Sequence, residues 1–348
     1  MRILCMLAGA VTCALMGGSA HGQVNLNVYG DFDYIVTHAD ETQNSLQLPR
    51  VDLFLTAALD RLTFLSEVML EVGEDNAFGV DVERVEVGYT LSEWLRIRIG
   101  RFHTALGYYN DAYHHGRYFQ VAVDRPEIVN FEDEGGLIPA HSIGLHLDGR
   151  FHIGRAGALR YDIDVANGRG RTPDEVTNKF DPDNAKAWNL RLRWEPAFLE
   201  GLIIGGNAYF DSIADSPMIP GGLGERIYGG HLAYLEHNVH FIGELMRIEH
   251  RPENAPGVFV TTAGFVEVGY AVGDVTPYAR FERTDFPSGG DPFFSLGKLG
   301  MRGSFSSVVG GLKYTASDSI ALKLEGSGIF VDAGTDIASV AFQCAFAF

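Results

Sequence analysis

Four arginines stand in two pairs, Arg96 with Arg98 and Arg191 with Arg193, each pair spaced by two residues. That spacing puts both members on one face of an extended strand. A short acidic run, Glu132, Asp133 and Glu134, sits between Phe131 and Gly135-Gly136. Guanidinium rows opposed by carboxylates across a narrow water-filled space would create a transverse field, which orients polar solutes and rejects apolar ones. A second cluster, His103, His114, His115 and His141, could converge with Glu132 or Asp133 on a metal ion. Adjacent His114 and His115 point opposite ways in extended chain, and no HxxxH or CxxC spacing is present, so loop-anchoring hydrogen bonds are the reading adopted. Catalytic patterns are missing: there is no GxSxG, no Walker loop and no GxGxxG in a βαβ setting. No enzyme activity, metal or cofactor is expected.

The elements that must hold these residues are strands. Val24, Leu26, Val28, Phe32 and Tyr34 share one parity, and Asn25, Asn27, Tyr29, Asp31 and Asp33 the other. Such alternation marks a strand with one apolar and one polar face. It recurs along the chain: Trp188, Leu190, Leu192 and Trp194, for example, oppose Asn189, Arg191 and Arg193. The pattern predicts sixteen strands, near 24–37, 49–59, 61–72, 82–91, 94–101, 140–149, 158–166, 186–195, 202–211, 226–235, 238–248, 258–271, 275–284, 304–315, 319–331 and 337–348. On the polar parity lie basic groups such as Arg84, Arg280, Lys313 and Lys323, with acidic groups such as Asp52, Glu67, Glu86, Glu244, Glu282 and Glu325. So many ionised groups cannot share a dry core, so a water-filled interior is expected.

Composition narrows the class. Of 348 residues, 46% are hydrophobic and 42 are glycine, against a helical protein. Residues 1–22 read as a signal peptide: Arg2, an apolar run from Ile3 to Met16, then small residues around Ala20 and Gly22. Residues 23–348 would be one domain. After the leader no apolar run reaches the length of a membrane helix. Cys344 is the one cysteine left, so no internal disulfide is possible. A net charge of −18 argues against nucleic-acid partners.

The links between strands alternate long and short. Long links are 38–48, 73–81, 102–139, 167–185, 212–225, 249–257, 285–303 and the shorter 332–336; tight turns fall between them. Bacterial outer-membrane barrels have short periplasmic turns, long external loops and an even strand number. Tyr89, Trp194, Tyr234, Tyr270 and Tyr314 all lie on the apolar parity beside short turns, as an interfacial aromatic girdle would. The expected fold is therefore an all-β, 16-stranded antiparallel transmembrane barrel in the bacterial outer membrane, in contact with its lipid and lipopolysaccharide.

The final strand, Phe342 to Phe348, resembles the chain ends of outer-membrane porins, where a terminal aromatic is read by the barrel-assembly machinery. The resemblance implies that role for Phe348. Arg98-Ile99-Gly100-Arg101-Phe102-His103-Thr104-Ala105-Leu106-Gly107, Val165-Ala166-Asn167-Gly168, Thr276-Pro277-Tyr278-Ala279-Arg280-Phe281-Glu282 and Lys323-Leu324-Glu325 resemble segments of the phosphate-selective porin O/P-like family. Ala105 stands where that family often has Pro. The resemblance implies a trimer-forming, 16-stranded diffusion channel. The lysines are few (Lys179, Lys186, Lys298, Lys313 and Lys323), so phosphate selectivity is not carried over.

Segment 102–139 is the longest link, and loops of that length are usually functional. In general porins the loop after the fifth strand folds inward and narrows the pore. The resemblance thus implies a constriction with Glu132, Asp133 and Glu134 opposite Arg96, Arg98, Arg191 and Arg193. The expected function is passive diffusion of small hydrophilic solutes and ions. The alternative is a plugged or narrow barrel serving as receptor, adhesin or structural envelope protein.

Overall fold

A computed structural model describes residues 22–39, 41–48, 50–72, 77–113, 116–129, 136–175 and 181–348. Sixteen antiparallel strands form a closed barrel. They are β1 (Gln23–His38), β2 (in two stretches, Thr42–Gln47 and Arg50–Leu59), β3 (Leu62–Val72), β4 (Phe78–Ser92), β5 (Leu95–His103), β6 (His141–His152), β7 (Ala158–Asn167) and β8 (Lys186–Glu195). There follow β9 (Leu202–Ile213), β10 (Leu223–Tyr234), β11 (Val239–Pro252), β12 (Phe259–Tyr270), β13 (Val275–Asp285), β14 (Phe305–Ser317), β15 (Ile320–Val331) and β16 (Ile337–Ala347). Each pairs with its chain neighbours, and β16 returns to β1, with Tyr29 opposite Ala347 and His38 opposite Ala338. Closure is what lipid demands, because hydrocarbon offers no partner to the N–H and C=O groups of an open edge.

The parity rule holds on the wall. On β8, Trp188, Leu190 and Leu192 face outward, 55%, 44% and 43% exposed, whereas Asn189 and Arg191 are buried inside. Val87, Ile99, Val266, Phe281, Leu312 and Val340 continue the apolar exterior on other strands. The girdle residues Tyr89, Tyr270 and Tyr314 are likewise exposed near the short turns. At that rim the Trp194 indole N–H donates to the Ala156 carbonyl at 2.8 Å and the Tyr161 hydroxyl to that of Trp94 at 2.8 Å, which ties amphipathic rings to the turn backbone. The β10–β11 connection is a tight reversal in which His237 and Asn238 both have positive φ (54° and 65°) and the Val239 N–H bonds the Glu236 carbonyl at 2.9 Å. These are the marks of a type I′ turn, whose twist matches that of the strands.

Two features differ from the sequence reading. The link expected at 38–48 is mostly strand: β1 and β2 stay paired up to His38 opposite Thr42, leaving 39–41 as the connection. The register shifts by one residue between Asp33 opposite Gln47 and Gly30 opposite Val51. Thr42, Gln43, Asn44 and Ser45 are polar on both parities, so the periodicity signal fades although the ladder continues. Second, the interior of β9–β12 is not a purely polar wall: among inward Asn207, Glu225, Glu244, His250 and Glu267 stand large apolar groups. Tyr209, Ile227, Ile242, Met246, Ile248, Ala263 and Phe265 point inward and are buried in a single apolar cluster.

Replacing Leu190, outside the barrel at mid-strand, by Arg should destabilise the protein by about 2–4 kcal/mol in lipid vesicles. Unfolding titrations of the refolded variant check this; an unchanged midpoint would put Leu190 out of contact with lipid.

Candidate functional site: the segment inside the barrel

The described residues of the link between β5 and β6 run through the barrel interior. Thr104, Ala105, Leu106, Ala122, Val123, Val129, Leu137, Ile138 and Ala140 are no more than 1% exposed. A buried segment outside any sheet must find partners for its peptide groups. Here the inward side chains of the strands supply them. The Ala105 N–H donates to Asp164 at 3.3 Å, and its carbonyl accepts from the Asn189 amide at 3.0 Å. Gly107 donates to Asn207 Oδ1 at 3.2 Å and accepts from Arg191 at 2.9 Å. The Tyr108 and Tyr109 N–H groups both donate to Glu244 Oε1, at 2.9 and 2.6 Å, where a one-turn helix α1 (Tyr109–Ala112) begins. Gly107 has φ +68°, and a Cβ there would lie 2.0 Å from Glu244 Oε2. Only glycine lets the chain press this close to the carboxylate.

The far end of the segment is held by the opposite wall. Lys323 donates to the carbonyls of Arg117 (2.6 Å) and Ala122 (2.7 Å), and Lys313 to that of Tyr118. The Val123 N–H donates to Glu325 at 2.8 Å and the Glu127 N–H to Glu282 at 2.7 Å. Arg280 donates to the carbonyls of Asp124 and Arg125. Between these anchors Leu106, Tyr109, Ile128, Val129, Leu137 and Ile138 join the apolar cluster of β9–β12. The segment thus fills one side of the interior.

The predicted arginines lie together on one wall, across β5 to β8. Register places Arg96 of β5 opposite Asp148 of β6, Asp148 opposite Asp162 of β7, and Asp162 opposite Arg191 of β8. The row is knitted by ion pairs: Arg96–Asp148 at 3.0 Å, Arg98–Asp148 at 3.1 Å, Arg98–Glu86 at 2.8 Å, Arg191–Asp162 at 2.9 Å and Arg193–Asp162 at 3.1 Å. Side-chain exposure grades from 40% at Arg96 through 21% at Arg98 and 18% at Arg193 to 1% at Arg191. Three of the four border open space; Arg191 is sealed beneath the segment.

Glu132, Asp133 and Glu134 lie outside the described residues, as do His114 and His115. The acid that does meet the arginines is Asp111 on α1, 2.8 Å from Arg191 and 3.8 Å from Arg193. Burial would raise its carboxyl, but the two guanidinium groups more than offset this and hold it at about 2. His103 and His141 stack edge to face at 5.2 Å, and His141 is 2.7 Å from Glu83. Among the described residues no three metal-ligating side chains converge. Sequence reasoning missed Asp111, because a loop has no parity to read. It also missed the anchoring roles of Glu244 and Lys323, although their inward direction was legible.

Three cavities follow the β1–β8 side. One of about 160 Å³ is bordered by Tyr29, Glu67, Arg84, Asp111 and Phe119. A second, about 220 Å³, is bordered by Thr56, Thr63, Glu86, Arg96 and Arg98. The third, about 310 Å³, opens near the short turns between Arg96, Asp148, Arg150, Arg160 and Arg193.

Two outcomes follow. Gly107→Ala should strain the first turn and collide with Glu244, lowering stability by about 1–3 kcal/mol and exposing residues near 104–113 to added protease; cleavage no faster than in the parent would contradict the seating described. The second concerns pH. Asp111 titrates below its ordinary 3.8, so its stabilising contribution is complete above about pH 4 and is lost as pH falls through about 2. In acid unfolding curves, Asp111→Asn should therefore flatten the slope between pH 4 and 2 and leave the slope between 5 and 8 unchanged.

No family model matches the chain, and no curated protein does. Solved structures do. An anion-selective porin of Comamonas acidovorans superposes with a TM-score of 0.65 at 14% identity, covering 94% of this chain and 100% of that one. OmpT, an outer-membrane protein of Vibrio cholerae, gives 0.62 at 13%, covering 96% and 99%. OprB of Pseudomonas putida gives 0.56 at 10%, covering 98% and 97%. The chain has the porin-type fold of these outer-membrane barrels, and its place is the bacterial outer membrane.

Proposed function

We propose that the protein is a passive porin, admitting small hydrophilic solutes and ions along the β1–β8 side of its interior. The observation that carries the reading is the row of cavities beside the seated segment, bordered by ionised groups from Arg84 and Glu67 to Arg96 and Arg193. Water and polar solutes are stabilised on such a surface, and apolar ones gain nothing from it. In this reading the segment is the constriction, with Asp111 and the neighbouring Arg193 setting the local field. The balance of Arg96, Arg98 and Arg193 against Asp111, Asp148 and Asp162 makes the channel weakly selective. The motifs resembling the phosphate-selective porin O/P-like family agree with a diffusion channel, and a homotrimer and removal of residues 1–22 on export belong to the same proposal.

The apolar cluster inside the barrel favours a second reading, a narrow barrel working as a receptor or structural envelope protein. Planar-bilayer recording separates the two. The porin reading expects stepwise conductance from folded protein, and silent bilayers would sink it. Asp111→Asn removes a negative charge beside Arg193, so the reversal potential in a salt gradient should shift toward anions. The shift should be greatest at low salt, where screening is weakest. An unmoved potential would place Asp111 off the ion path.

A further inference from the structure

The outward faces of β10 and β11 carry charge next to a largely apolar exterior. Outward Tyr228 and Leu245 are 39% and 66% exposed. Toward the long loops from them, the same faces present Arg226, then Arg247, Glu249 and Arg251. Register sets Arg226 opposite Glu249, Tyr228 opposite Arg247 and Gly224 opposite Arg251, so the four charged side chains share one patch. Glu249 receives Arg247 at 2.9 Å and Arg251 at 2.7 Å, yet those arginines remain 52% and 43% exposed. Arg226 is exposed beside them. Phe210 of β9, opposite Arg226, stacks edge to face on Tyr228 at 5.9 Å, so aromatic rings adjoin the patch.

Three guanidinium groups around one carboxylate leave the patch positive, on a chain whose net charge is −18. An arginine facing hydrocarbon is costly, and the cost nearly vanishes at headgroup depth. Guanidinium forks match phosphate oxygens in pairs. The long-loop end of an outer-membrane barrel meets the outer leaflet, whose glycolipid carries phosphates on its sugar headgroup. We propose that Arg226, Arg247 and Arg251 form a docking site for the phosphorylated headgroup of an outer-leaflet glycolipid, with Phe210, Tyr228 and Leu245 receiving its acyl chains. The site lies on the exterior wall and is independent of whether the interior conducts. Arg283 supplies the contrast: it also faces outward near this rim, but Asp285 and Asp332 hold it at 2.5 and 2.7 Å, and it presents no net positive charge.

The test uses the full barrel, refolded in detergent and titrated with bisphosphorylated lipid A or with its phosphate-free counterpart, bound lipid being counted by native mass spectrometry. Bisphosphorylated lipid A should bind more tightly than the phosphate-free form. The combined variant Arg226→Gln, Arg247→Gln, Arg251→Gln should weaken it at least about tenfold, each basic group near an anionic lipid surface being worth about fivefold. Arg283→Gln should stay within about twofold of the parent. Glu249→Gln should tighten binding, which keeps the test decisive if the triple variant fails to fold. Equal binding of the two lipids, an unaffected triple variant, or weaker binding by Glu249→Gln would overturn the proposal. So would displacement by inorganic phosphate at tenfold excess, which would assign the patch to free phosphate.

Discussion

A chain that passes through the inside of a barrel has no ladder of its own, and its peptide groups must be paired by side chains or by water. That requirement organises this interior. Glu244 takes two N–H groups, Lys323 gives to two carbonyls, and Glu325, Glu282, Asp164 and Asn189 each take or give one. Ionised groups suit the task because a charge-assisted hydrogen bond is stronger than a neutral one and survives burial when every partner is met. The inward charges of β11–β15 are thus largely structural, as are Asp164 and Arg191 on β7 and β8, while Arg96, Arg98 and Arg193 pair with Asp148 and Asp162 and keep contact with open space.

This division explains how far the sequence could be read. Alternation exposed the wall because lipid on one side and polar groups on the other leave a strict period of two, as along Trp188 to Trp194. It failed at Thr42 to Ser45, where both faces meet water, and it said nothing of the apolar interior at Ile242 and Met246, where outward Phe241 and Leu245 are apolar too. The arginine pairs were visible by spacing. Their partners were partly hidden: Asp148 and Asp162 sit on readable strands, but Asp111 owes its position to a loop path fixed by contacts far away in sequence. A row of arginines also says nothing of which wall faces it, since strand order around the barrel, not spacing along the chain, sets the neighbours.

The exterior repeats the lesson with the opposite sign. Charges on the lipid side break the alternation, and near Arg226 and Arg247 the breaks coincide with the end of the apolar band. What looks like a fading strand signal is the depth at which the surroundings change from hydrocarbon to headgroups.

The anchors of the inserted segment lie far downstream of it. Tyr108 is 136 residues before Glu244, and Arg117 is 206 before Lys323. Pairing β5 with β6 places none of these anchors, which come from other strands. Seating must therefore come late, after β11 and β15 have joined the wall, and the half-built barrel carries an unsatisfied, apolar stretch of chain in the meantime. Loop closures of this span are slow relative to hairpin formation. The sheet can assemble by neighbour-to-neighbour addition, but seating the interior segment is a second, non-local step that needs strands far apart in sequence to be in place.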